Sequence, residues 1–238
     1  MKTMALIPAR YAATRFPAKL MQMLGNKSVI RHTYENTRDT FLFDEVIVVT
    51  DHEIIFDEIT RAGGYAIMSH GQFESGSDRI AEAVKDIEVD VVVNVQGDEP
   101  FVNKTGLRKL IQVFDDPQVQ VASLMCPLES EEDIRNPSYV KVVVDNQQYA
   151  LYFSRLPIPF IRNAESKIGF RKHIGIYGYR KEILMKFTSW KRTPLEQTKM
   201  LEQLRYLENG VKIKMIETQE APLSIDTPED LERARIVL

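Results

Sequence analysis

Asp90-Val91-Val92-Val93-Asn94-Val95-Gln96-Gly97-Asp98-Glu99-Pro100 is the stretch that decides the fold. Four of the five residues from Val91 to Val95 are apolar and β-branched, and Gly97 and Pro100 cut the run off. Such a run predicts a strand buried on both faces, as in the middle of a parallel sheet. Open α/β sheets bind ligands outside the carboxyl ends of their strands. At that end stand Gln96, an amide suited to a base edge, and Asp98 and Glu99, carboxylates suited to a hard cation. Gly97 permits close backbone approach. The same residues also fit an acidic turn that caps the next helix.

Outward from this strand, short apolar runs alternate with helical periodicity. Met4 to Ile7 is a first strand, and the spacing of Ile30, Tyr34, Thr37 and Phe41 predicts a helix within 27–41. Glu45 to Thr50 is the next buried strand, followed by a helix that ends at Gly63-Gly64 and a strand from Tyr65 to Met68. A helix striped by Ile80, Ala83, Val84 and Ile87 leads into the central strand, and Leu107 to Phe114 and Val119 to Met125 form a further helix and strand. Repeated β-α units imply a doubly wound, mainly parallel α/β sheet with right-handed crossovers. The pattern then changes to an antiparallel β-hairpin, Tyr139 to Val144 and Gln148 to Phe153 around Asp145-Asn146-Gln147. The chain thus reads as a single domain over 1–238 with an inserted hairpin subdomain near 136–180. Thr193-Pro194-Leu195-Glu196 starts a helix that is expected to run to Gly210, and Asp226 or Thr227 caps the last one.

Composition excludes several classes. A net charge of −3 leaves no broad basic face for nucleic acid. Cys126 is the only cysteine, so there is no internal disulfide and no multi-cysteine zinc site, in keeping with a reducing compartment. The apolar run after Met1 is too short for a secretion signal or a membrane span, and a cytoplasmic protein is expected.

Three cations, Arg10, Arg15 and Lys19, lie in the loop after the first strand, where such a sheet presents its ligand. Together they suit a polyphosphate, although a solvated loop would hold the same residues. Ser75, Gly76, Ser77, Asp78 and Arg79 precede a helix, where they suit a ribose or base; the alternative is a cap, with Ser77 capping and Asp78 complementing the dipole. His173, Gly175, Tyr177 and Tyr179 alternate onto one strand face that, beside Arg155, suits a polyhydroxylated acid or else meets water. Asp226, a helix cap by default, is also placed to complete a cation site with Asp98.

Six stretches in order carry a resemblance: Ile7-Pro8-Ala9-Arg10-Tyr11-Ala12 with Arg15, Pro17 and Lys19; Asn94 to Pro100; Tyr149-Ala150-Leu151-Tyr152-Phe153-Ser154-Arg155; His173 to Arg180; Leu201-Glu202-Gln203-Leu204-Arg205; and Asp226-Thr227-Pro228-Glu229-Asp230-Leu231. The chain resembles the 3-deoxy-manno-octulosonate (Kdo) cytidylyltransferases, or CMP-Kdo synthetases, over nearly its whole length. The resemblance implies a Rossmann-like nucleotidyltransferase in which the sugar acid's anomeric hydroxyl attacks the α-phosphate of CTP, releasing pyrophosphate. It implies that Ala9, Arg10, Arg15 and Lys19 surround the triphosphate, that Ser75, Arg79 and Gln96 hold the nucleoside, and that Arg10, Lys19 and Asp98 are catalytic. Mg²⁺ would sit on Asp98 and Asp226, and Arg155, His173, Tyr177, Glu202 and Gln203 would grip the sugar. Such enzymes are cytoplasmic homodimers serving lipopolysaccharide synthesis, and the hairpin is the candidate dimer surface. One departure is Pro17-Ala18-Lys19-Leu20-Met21, where the family reads Pro-Gly-Lys-Pro-Leu; Ala18 is less free than Gly to take a positive φ. A CMP-sialate synthetase or other sugar nucleotidyltransferase, a non-catalytic CTP-sensing module and an NAD-dependent oxidoreductase are the rival readings; the last lacks a GxGxxG turn after the first strand.

Overall fold

A computed structural model describes residues 1–12, 16–71, 73, 75–163, 165, 168–219 and 222–238. In chain order the first half comprises β1 (Thr3–Ala9), β2 (Met23–Leu24), β3 (Lys27–Ser28), α1 (Val29–Arg38), β4 (Glu45–Thr50), α2 (Glu53–Arg61), β5 (Tyr65–Met68), α3 (Gly76–Val84), β6 (Val91–Asn94) and α4 (Lys104–Gln112). The second half comprises β7 (Val121–Leu128), α5 (Glu131–Arg135), β8 (Lys141–Val144), β9 (Ala150–Ser154), β10 (Phe170–Arg180), α6 (Lys181–Ser189), α7 (Pro194–Lys199), α8 (Leu204–Glu208), β11 (Ile213–Glu217) and α9 (Pro228–Val237).

The main sheet has the order β11-β7-β10-β6-β1-β4-β5. β6, β1, β4 and β5 pair in parallel, as do β7 and β11, while β10 runs antiparallel to both β6 and β7. Every strand of this path except β10 therefore points the same way, and their carboxyl ends open on one edge. Val91, Val92 and Val93 of β6 have no exposed surface, as expected for a strand covered on both faces. One apolar layer packs α1 and α4 on the sheet through Ile30, Tyr34, Leu107 and Leu110; the opposite layer uses Ile80, Val84, Leu184 and Phe187 of α3 and α6. Each fully buried aliphatic side chain contributes about 1.5–3 kcal/mol relative to exposure.

The hairpin is present as β8 and β9, attached to β10 at Lys141–Lys172. β10 itself, which the sequence places within the inserted segment, is a central strand of the main sheet. Its alternation is compatible with either position, because periodicity records burial and not the neighbouring strand. A second difference is larger. The helix expected over 193–210 is broken: Met200 takes a left-handed conformation, φ 52° and ψ 49°, and α8 starts afresh at Leu204.

Candidate active site

Two cavities open at the carboxyl edge of the sheet and share a wall. One, of about 290 Å³, is lined by Pro8, Arg10, Lys19, Gly76, Gln96 and Asp98, among others. The second, of about 280 Å³, includes Asn94, His173, Tyr177, Tyr179, Glu202 and Gln203 in its lining. Gln96 and Gly76 belong to both.

At the wall of the first cavity Asp98 and Asp226 are brought together on Lys19. Lys19 Nζ donates to Asp98 Oδ2 at 2.5 Å and to Asp226 Oδ1 at 3.1 Å, with the three side chains 15%, 23% and 40% exposed. The backbone brings them together at three points. Ala18, although less free than glycine to do so, takes a left-handed conformation (φ 49°, ψ 32°) that turns the loop into the short 3-10 turn of Lys19. Gly97 leaves little room for a side chain: a Cβ would lie 3.2 Å from the Pro8 carbonyl and 3.3 Å from Leu20. The close approach it permits is thus to the lysine loop, which fixes Asp98 against Lys19. Ile225 donates its N–H to the Asp98 carbonyl at 2.9 Å, tying the last loop to the first. Thr227, and not Asp226, caps α9, with Asp230 completing the capping box, so the Asp226 carboxylate is left to face Lys19. Burial opposes the charge of Lys19, but the two carboxylates outweigh it and raise its pKa above the ordinary lysine value.

The donor set fits a hard divalent cation. Two carboxylate oxygens already converge on one cationic nitrogen, and Mg²⁺ takes one or two carboxylates while phosphate and water complete its octahedron. Among the described residues there is no group of three or more His, Cys, Asp or Glu that would hold a metal without such outside ligands. Next to Asp98, burial and the neighbouring carboxylate push Glu99 up to about 8, so it carries its proton at neutral pH and adds no charge.

Arg10 is exposed at the mouth of this cavity, and Ala9 is buried at the end of β1. Arg15 lies outside the described residues. The nucleoside candidates are arranged differently from the sequence reading. Ser75, not Ser77, is the α3 cap, paired with Asp78 in a capping box. Arg79 is buried rather than open to the cavity: it donates to Ser69 Oγ at 2.5 Å and Asp51 Oδ2 at 2.8 Å, and its Nε has no acceptor among the described residues. Gln96 Nε2 donates to the Gly175 carbonyl at 3.2 Å, which locks the amide at the partition between the cavities.

In the second cavity His173, Tyr177, Glu202 and Gln203 converge as expected. Tyr177 and Tyr179 of its lining begin a ladder of rings that runs into the core, Tyr177 stacking on Tyr179 at 5.6 Å, Tyr179 on Tyr206 at 5.9 Å and Tyr206 on Phe187 at 4.3 Å. The Tyr177 hydroxyl and Asn94 Oδ1 are buried without a hydrogen-bond partner among the described residues, an arrangement that a polyhydroxylated guest would satisfy. Ser77, read from the sequence as a helix cap or part of a nucleoside stretch, instead donates to Glu202, whose carboxyl burial raises above its usual range. Only the small-residue run before α3 hinted at Ser77. Arg155 is the exception among the sugar candidates. It is not in the cavity lining but donates to the carbonyls of Pro137, Lys199 and Met200 at 3.1, 3.2 and 3.3 Å, because the break at Met200 releases backbone acceptors beside it.

Ser123 was invisible in the sequence. Its hydroxyl lies 3.1 Å from His173 Nε2 and 2.9 Å from the Ile176 carbonyl; with the hydroxyl proton given to the carbonyl, the imidazole N–H donates to Ser123. Burial, helped by Lys172, lowers the His173 pKa from 6.5 to about 3, so the ring stays neutral at working pH. Between those values the unfolded chain binds a proton that the folded chain refuses, and stability declines as pH falls through that window. The urea midpoint of wild type should accordingly fall more steeply from pH 6.5 to 4.5 than that of His173→Asn. Parallel slopes would contradict a buried neutral imidazole.

Comparison with known proteins gives the same direction. The cytidylyltransferase family model matches residues 4–213. A 3-deoxy-manno-octulosonate cytidylyltransferase of Flavobacterium johnsoniae is 56% identical over all of this chain and 99% of its own length. Its counterpart in Christiangramia forsetii is 52% identical over 100% and 97%. The solved structure of a CMP:2-keto-3-deoxy-manno-octonic acid synthetase complexed with CTP superposes with a TM-score of 0.95 at 39% identity, covering 100% of this chain and 98% of that one. The chain belongs to the cytidylyltransferase family and, within it, to the 3-deoxy-manno-octulosonate cytidylyltransferases.

Proposed function

We propose that the protein activates Kdo with CTP, giving CMP-Kdo and pyrophosphate. The observation that carries this is the shared wall: a cavity with a Lys19-Asp98-Asp226 cluster abuts a polar, aromatic-lined cavity through Gln96 and Gly76. Nucleotide in the first and sugar acid in the second would bring the anomeric hydroxyl and the α-phosphorus to that wall. One oxygen–phosphorus bond forms there as the bond to pyrophosphate breaks, and the hydroxyl proton passes to water. Transfer of this kind depends on in-line positioning and charge neutralisation more than on covalent help.

Lys19 and Arg10 hold the triphosphate and offset the charge that develops on the departing pyrophosphate. Gln96, fixed on Gly175, keeps the two guests in register. His173 stays a neutral hydrogen-bonding group, and Glu202 and Gln203 orient the sugar's hydroxyls. Asp98 and Asp226 would hold Mg²⁺, which when bound supplies Lewis acidity and a template for the phosphates. Pyrophosphate release with CTP and Kdo tests the reading, and no release with any nucleoside triphosphate and sugar acid would overturn it. Within the same assay Gln203→Ala should raise the KM for Kdo about tenfold, the scale of one lost hydrogen bond, and leave CTP affinity near wild type. Calorimetry showing CTP binding lost in that variant would move Gln203 to the nucleotide side.

In this reading the enzyme works in the cytoplasm for lipopolysaccharide synthesis. No helix among the described residues is long and apolar enough to cross a membrane. A homodimer formed through the hairpin region completes the reading, since Leu151, Leu156 and Phe160 are 61%, 69% and 88% exposed there. Sedimentation at micromolar concentration checks it, and a monomer would rule it out.

A further inference from the structure

Local signals between Thr193 and Gly210 favour one continuous helix: a capping box, Pro194 in the first turn, and an apolar stripe at Met200, Leu201, Leu204 and Leu207. The chain nevertheless breaks at Met200, and the break delivers Glu202 and Gln203 to the cavity. Across it, Arg205 Nε donates to Glu196 Oε2 at 2.7 Å and Nη2 to Oε1 at 2.5 Å. The two residues are only 3% and 6% exposed. Arg205 also points at the carbonyls of Phe187 and Trp190, at 3.5 and 3.4 Å, and its guanidinium covers the Phe187 ring at 4.1 Å.

In an unbroken helix nine residues separate Glu196 from Arg205. At 1.5 Å and 100° per residue they would stand about 13.5 Å apart along the axis and on opposite faces. The bidentate pair therefore exists only in the broken form. We propose that Glu196 and Arg205 are positioning residues: by closing on each other they select the break and so set Glu202 and Gln203 in the acceptor cavity. The inference rests on reading that cavity as the site of the sugar acid. A buried pair of this kind is weak support for stability, since apolar residues of similar volume often replace it without loss, but it can specify one arrangement over another.

That distinction supplies the test. Glu196→Leu and Arg205→Met combined leave no charge buried alone. In this double variant the melting temperature and CTP affinity should stay near wild type, while the KM for Kdo rises tenfold or more, the scale of at least one lost hydrogen bond. Hydrogen exchange at the amides of 200–203 should slow, because the helix now runs through. Wild-type KM together with wild-type exchange would overturn the proposal and leave the pair a stabilising contact only. Should the double variant fail to fold, Arg205→Lys keeps the charge but loses the second donor; a raised Kdo KM with unchanged CTP affinity is expected, and an unchanged KM is contrary to the proposal. The exchange measurement needs no substrate. Failure of the wild-type enzyme to use Kdo would refute the acceptor's identity and leave the selection of the break separately readable.

Discussion

Asp98→Asn should lower turnover with CTP and Kdo by on the order of 10²–10³-fold, the scale of removing one preorganised stabiliser of developing charge. The substitution keeps the shape of the side chain and deletes a charge that faces both Lys19 and, when bound, the metal. Asp226→Asn should act through the same unit, and with both replaced the loss should fall well short of the sum of the two, because groups serving one ion are non-additive. Stability offers a separate check on Asp226. The α9 cap is Thr227, so Thr227→Ala should cost about 1 kcal/mol of stability while Asp226→Asn melts near wild type. Near-normal turnover in Asp98→Asn would remove the cation from the mechanism, and a sharply less stable Asp226→Asn would return Asp226 to a structural role.

Much of this was legible because it depended on what the sheet obliges. A run of four valines in five residues, cut off by Gly and Pro, has few places to go besides a covered strand, and the carboxyl end of β6 then places Asp98 at the ligand edge. Asp226 could be joined to it because the strand before it belongs to the same sheet. At Ala18 the local signal pointed the other way: an alanine is less free than glycine to take a positive φ, yet the chain takes one there. What could not be read was decided by contacts distant in sequence. Alternation along β10 says which faces are buried, but its antiparallel seat between β6 and β7 is a matter of partners. The break at Met200 runs against local preference and is sustained by side chains nine residues apart, as well as by Arg155 from the end of the hairpin. Ser77 and Ser123 act on Glu202 and His173 across separations of 125 and 50 residues, and nothing near either serine announces its partner.

Lys19→Ala should move two quantities in opposite directions. Turnover should fall by on the order of 10²–10³-fold, because the loop loses the cation that faces the phosphates. Binding of Mn²⁺ in the absence of nucleotide should tighten, by about tenfold for each 1.4 kcal/mol of competition removed. The second effect follows from where the ammonium sits. It lies between Asp98 and Asp226, at 2.5 and 3.1 Å, and so neutralises the carboxylates a divalent cation would use. With the side chain 15% exposed, the pairing is partly shielded from solvent and salt, and displacing it costs more than displacing a surface bridge. An incoming nucleotide changes the balance: its phosphates give Lys19 a second anionic partner and give the metal the ligands it lacks, so lysine and metal exchange partners without leaving either charge bare. Wild type should therefore bind Mn²⁺ weakly alone and much more tightly with CTP, while in the variant the gain on adding CTP should be smaller. Titration calorimetry with and without CTP reads the difference. Unchanged metal affinity in Lys19→Ala, with CTP use intact, would refute both the phosphate role and the exchange, and Lys19 would then be a structural bridge between the first and last loops.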